Sequence, residues 1–121
     1  MRAVDDLEQL ALAMSSAGWQ SRLLRDDHPP VLRVWHPSVP SVGDTITVAP
    51  EALGPGSQPW HKSSTGELVG QCADPQRTAA RIQELLGPLV AAIAGSSSPV
   101  EHAFLLLLWR QSPQEFRDKY R

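Results

Sequence analysis

The sequence is short of the features that most directly name a function. It has a single cysteine, Cys72, so no internal disulfide can form and nothing in the chain calls for an oxidising compartment. Neither sign of charge dominates: 11 basic and 13 acidic residues give a net charge of -2, which leaves no electrostatic reason to expect nucleic acid or an anionic membrane as a partner. No long hydrophobic run is present. The longest apolar stretch, residues 103–109, falls far short of the ~20 residues that a membrane-spanning helix needs, so no membrane association is expected. The opening segment Met1-Arg2-Ala3-Val4-Asp5-Asp6 puts two acids where a secretion signal would have its apolar run, and the expected location is cytoplasmic. At 121 residues the chain has the length of one domain with a small but real core.

Chemistry-bearing spacings are equally scarce. His28, His36, His61 and His102 do not lie three or four residues from another histidine, a cysteine or an acid pair in a metal-like pattern, so no metal site is assigned. Ser63-Ser64-Thr65-Gly66 lacks the lysine and the following helix of a phosphate-holding loop and reads as a hairpin turn. Cys72 admits a nucleophile reading with a histidine as base, and a structural one as a small buried hydrophobe. The cap of the helix that follows is Asp74, so Cys72 is poorly placed to gain the acidified thiol of a helix N-terminus. The structural reading is preferred. No catalytic residue and no cofactor follow from these residues, and the expectation is a protein that is not an enzyme.

What is present is a strand-rich centre, residues 31–73, between two helical patterns. Leu32, Val34 and His36 alternate with Arg33, and Thr45-Ile46-Thr47-Val48 alternates cleanly, as strands with one wet face do; this favours antiparallel pairing. Residues 37–44, with Pro37, Pro40 and Gly43, read as a turn connection, and residues 51–59 as a loop. Residues 60–63 and 68–72 read as a further hairpin, and residues 19–25 as a first strand. Val4, Leu7, Leu10, Ala11 and Met14 mark a helix over residues 3–17 that stops at Gly18. Asp74-Pro75 opens a second helix carrying Ile82, Leu85, Leu86, Leu89, Val90 and Ile93 on one face, with a kink expected near Pro88.

The expected fold is α+β: an N-terminal helix, an antiparallel sheet of four or five strands, a long kinked helix and a C-terminal helical tail, with both long helices on one face of the sheet. Leu7, Leu10, Met14, Leu32, Val34, Ile46, Val48, Ile82, Leu86, Leu89 and Ile93 form its expected core. Residues 1–95 make the α+β domain, 96–98 a serine linker and 99–121 the tail. Ser98-Pro99-Val100-Glu101 and Ser112-Pro113-Gln114-Glu115 repeat one capping pattern, which predicts two short helices in that tail. The first is apolar all the way round from Phe104 to Trp109 and must be buried on every side. Either it packs across a two-fold homodimer through Phe104, Leu105, Leu107, Leu108, Trp109, Phe116 and Tyr120, or it folds back and completes its own domain.

At Ala17-Gly18-Trp19, Leu32-Arg33-Val34, residues 40–48, Trp60 with Ser63-Ser64-Thr65-Gly66, and Cys72-Ala73-Asp74, the chain resembles small uncharacterised actinomycete proteins associated with regulatory genes. In element order it also resembles the YbjN and type III secretion chaperone group, except that residues 51–59 offer a loop where that group has a helix. The resemblance implies a dimeric protein that binds other proteins.

Function is therefore expected to be that of a protein-binding module, regulatory or chaperone-like, partnering itself and another protein. The alternative is a small-ligand sensor with a pocket between sheet and helices lined by Trp35, His36, His61 and Cys72. Arg22, Arg25 and Arg33 on neighbouring strands, with Trp35 or Trp60, resemble a nucleic-acid surface on paper. Asp26, Asp27 and the acidic balance favour a solvated sheet face instead.

Overall fold

The recurrence of Leu7, Leu10 and Met14 along residues that carry no proline or glycine makes α1 (Arg2–Ser16) a helix with one buried stripe. Gly18 ends it at φ +90°, where a side chain would be strained, and the chain closes with Gly18 N–H donating to the Ser15 carbonyl and Trp19 N–H to that of Met14. The computed structural model describes residues 2–49, 58–96 and 98–120. The expected 51–59 loop, for residues 51–57, and Ser97 of the linker lie outside the described residues.

Five strands follow in sequence order as an antiparallel meander: β1 (Gln20–Leu24), β2 (Val31–His36), β3 (Val39–Ala49), β4 (Trp60–Lys62) and β5 (Leu68–Gln71). Leu23 pairs with Leu32, Leu32 with Ile46 and Val48 with His61, so these side chains share a face; Arg22, Arg33, Thr45, Thr47 and Lys62 take the other. β3 differs from its expected bounds. It begins at Val39, not Thr45, and the turn from β2 is Pro37-Ser38, with Ser38 N–H donating to His36 Nδ1. The cause is a bulge: the register moves from Trp35 opposite Gly43 to His36 opposite Val39, leaving Pro40, Ser41 and Val42 as extra residues of β3. A proline that would break a ladder costs nothing there, because no cross-strand donor is needed. Val39 and Val42 are buried, which is what holds the bulged segment to the sheet.

α2 (Pro75–Ala94) is one helix through Pro88. Its first turn is capped by the Asp74 carboxylate, which accepts from Arg77 N–H at 3.1 Å. Asp74→Ala is expected to cost about 1 kcal/mol, read as a lower urea midpoint at unchanged slope. α1 packs against α2, and Leu7, Leu10, Met14, Ile82, Leu86, Leu89 and Ile93 share one core cluster with Leu32, Val34 and Ile46. Val48 packs against that cluster and is half-buried. Trp19, just before β1, is buried with it, donates its indole N–H to Gln83 and meets His36 edge to face at 5.1 Å.

Ser98 caps α3 (Pro99–Gln111) by accepting from Glu101 N–H, and α4 (Pro113–Tyr120) follows after Ser112. Both helices contact α2 of their own chain. Leu105 and Phe116 are buried in the core cluster, and Leu106, Leu108 and Trp109 lie half-buried against it. Among the described residues no helix is long and apolar enough to cross a membrane.

Candidate functional site

Three places are candidates for a functional site, and the first is buried. α1 supplies Asp6, β4 His61, the end of β5 leads to Cys72, and the first turns of α2 supply Thr78. His61 is fully buried and its Nδ1 lies 2.9 Å from Thr78 Oγ1, which also donates to the Asp74 carbonyl at 3.4 Å. Gly70, opposite His61 in the β4–β5 register, makes this approach possible: a Cβ there would sit 2.2 Å from Thr78 Oγ1. Burial pushes the imidazole down to about 4, against an opposing pull from the Asp6 backbone, so it is neutral at pH 7. Cys72 is pushed up to about 12 by burial, then by the charge of Asp6 and a hydrogen bond to it. Burial raises the Asp6 carboxyl, with Arg2 and the Cys72 thiol acting the other way. A thiol held protonated is the reverse of an activated nucleophile, whose pKa must be lowered. No cluster of three metal-ligating side chains occurs among the described residues.

The ligand-pocket residues expected from the sequence are therefore split. His61 and Cys72 each adjoin Asp6, whereas Trp35 lies on the other face of the sheet and His36 packs on Trp19. Asp6 and Thr78 were not legible as members of this cluster, since one lies in a helix turn and the other on a helix face, both unremarkable by spacing.

The second place is the sheet face that carries Arg22 and Arg33. These two residues are directly opposite each other across β1 and β2, and both are exposed. Trp35, half-buried beside them, donates its indole N–H to Gln20 at 2.9 Å, which pins the ring across the strands. Arg22, Arg33, Trp35 and Pro40 line a hollow of about 260 Å³. Arg33, Trp35 and Pro40 also line a neighbouring hollow of about 310 Å³ that continues past Gly43 and Thr45 to Ser64. Arg25, grouped with these arginines in the sequence, instead forms an ion pair with Glu8 of α1.

The third place is the tail. Of the residues expected at a partner interface, Leu105 and Phe116 are buried in this chain's own core, Leu108 and Trp109 are half-buried, and the Tyr120 side chain lies outside the described residues. The helix apolar on every side is thus covered on one side by α2, because Leu105 reaches the same cluster as Leu89 and Ile93, and Phe116 of α4 joins it there. Phe104 and Leu107 remain 56% and 53% exposed, and Val100, outside the expected interface residues, is 80% exposed. These three recur at four- and three-residue steps, so they form one stripe along α3.

No family model matches this chain, and no curated protein or solved structure matches it either.

Proposed function

We propose that the chain is a non-enzymatic protein-binding module that acts as a homodimer, with α3 as the self-association surface. The observation that carries this reading is the Val100–Phe104–Leu107 stripe, three large apolar side chains more than half exposed on a helix whose other side is docked. Covering such side chains is favourable by on the order of 1 kcal/mol or more each, and an isologous helix pair is the simplest way for one patch to cover itself. An antiparallel pair also brings Glu101, near the start of α3, toward the end where Arg110 sits in the partner. A small buried thiol held protonated and a neutral buried histidine fit a structural cluster better than a reaction centre, which supports the non-enzymatic side of the reading.

An interface centred on one helix of 13 residues is smaller than the roughly 20–30 residues a side of a standard complex, so the dimer is expected to be concentration-dependent. Because Leu105 and Phe116 complete the core, deletion of the tail would expose α2 and confuse the test. The double substitution Phe104→Glu, Leu107→Glu alters only exposed positions. Sedimentation equilibrium is expected to give the parent a mass rising toward twice the chain mass with concentration, and the variant the mass of one chain. A parent that stays monomeric across the concentration range overturns the reading.

A further inference from the structure

Arg22 and Arg33 are Cα partners on adjacent antiparallel strands, and like charges placed directly opposite each other destabilise a sheet. Two other arginines of this chain have carboxylates, Arg25 with Glu8 and Arg81 with Glu67 and Glu84, while Arg77 and Arg110 stand singly; among the described residues only Arg22 and Arg33 face each other across a strand pair. Among the described residues no carboxylate lies within ion-pairing distance of Arg22 or Arg33. Between them and the bulged start of β3 runs a groove floored by the pinned Trp35 indole and walled by Pro40, made of the two adjoining hollows. Asp44 reaches its far end, but Asp44 Oδ1 already accepts from the Thr45 and Ser64 backbone N–H groups at 2.7 and 3.3 Å.

We infer that this groove on the open sheet face docks an acidic, extended segment of a partner protein, one carboxylate of which bridges Arg22 and Arg33 while an apolar side chain two residues away, on the same side of the segment, lies on Trp35 and Pro40. Charge complementarity selects the occupant. Two unneutralised arginines on facing positions offer paired donors to carboxylate oxygens, and the aromatic floor beside them suits the side chain two residues from the acid, which an extended segment turns to the same side. Nucleic acid fits less well. Two arginines and Lys62 on this face release few counterions, and the chain as a whole is acidic, whereas phosphate-backbone binding at physiological salt rests on many cationic contacts. The inference uses a different surface from α3 and does not rest on the dimer reading.

The test titrates the full chain against a fluorescent peptide in which glutamate and leucine alternate at every second residue with serine between them, the same peptide with glutamine for glutamate, and an oligothymidylate of equal length, by anisotropy at low and high NaCl. Binding of the acidic peptide is expected in the micromolar range, weakening as salt rises and weaker by about tenfold or more for the glutamine peptide and for the Arg33→Glu chain. Arg22→Glu supplies a second readout. It converts the repulsive pair to an attractive one, so it should raise the melting temperature while lowering peptide affinity, a combination that loss of fold cannot mimic. The inference is overturned if the acidic and glutamine peptides bind alike, if the oligothymidylate binds more tightly than the acidic peptide, or if Arg22→Glu and Arg33→Glu leave peptide affinity unchanged. The chain carrying Phe104→Glu and Leu107→Glu should bind the peptide as the parent does; a loss there would mean that the peptide is held by the dimer and not by this groove, and would also overturn it.

Discussion

Gly43→Ala is expected to lower stability by about 3 kcal/mol. An alanine Cβ at this position would lie 2.1 Å from the Val34 carbonyl oxygen and 3.1 Å from Trp35 Cα. Two of these atoms are backbone, so no rotamer change relieves the overlap. The β2 and β3 strands would have to separate where the register steps into the bulge, next to Val34 and Val42, both of which are buried in the core. In a chain of this size such a loss corresponds to a melting temperature lower by roughly 10 °C. Thermal unfolding followed by far-ultraviolet circular dichroism measures it, and a midpoint within a few degrees of the parent would show that the bulge yields without cost to the sheet.

Acidification is expected to weaken the fold between about pH 6.5 and pH 4, and His61 is the reason. Its imidazole takes a proton near 6.5 when the chain is unfolded but only near 4 when buried against Thr78. A group whose folded value is depressed and whose charged form is the protonated one stabilises the fold fully above 6.5. That contribution is lost as pH falls toward 4 and amounts to about 3 kcal/mol. Asp6 acts with the opposite sign at the lower end, since its raised carboxyl protonates earlier in the fold than in the unfolded chain and returns part of the loss. On the alkaline side, Cys72 ionises near 9.0 unfolded and near 12 folded, so its contribution is lost as pH rises past 9.0. Urea unfolding at pH 7 and pH 5 gives the acid-side change directly. In His61→Gln the difference between the two pH values is expected to shrink to a small remainder, and an unchanged difference would assign the acid sensitivity to other groups.

Local pattern was sufficient where a signal and its consequence lie within a few residues of each other. The recurrence of Leu7, Leu10 and Met14, the glycine at 18, the Asp74 and Ser98 caps and the alternation of residues 45–48 each specify an element by its own sequence, and α1, α2, α3 and the centre of β3 appear where those signals put them. The α+β class and the antiparallel sheet follow from the same short-range periodicity, and so does most of the core, because a stripe on a helix or a strand face is apolar only when something covers it.

Register and docking were decided only in three dimensions. Pro40 and Gly43 have the composition of a turn, yet they belong to a strand, because a bulge places Pro40 where no donor is needed and Gly43 where Val34 and Trp35 leave no room for a side chain. The same register sets Arg22 against Arg33, and a shift of one residue would have turned one of them to the core face. Asp6, His61, Cys72 and Thr78 are separated along the chain by as many as 72 positions, and the close approach of Thr78 to His61 depends on Gly70, where a side chain would meet Thr78. The tail's composition demanded burial without naming the surface. Leu105 and Phe116 found theirs on α2, while Val100, Phe104 and Leu107 did not, because a helix apolar on all sides cannot be covered by one neighbouring helix.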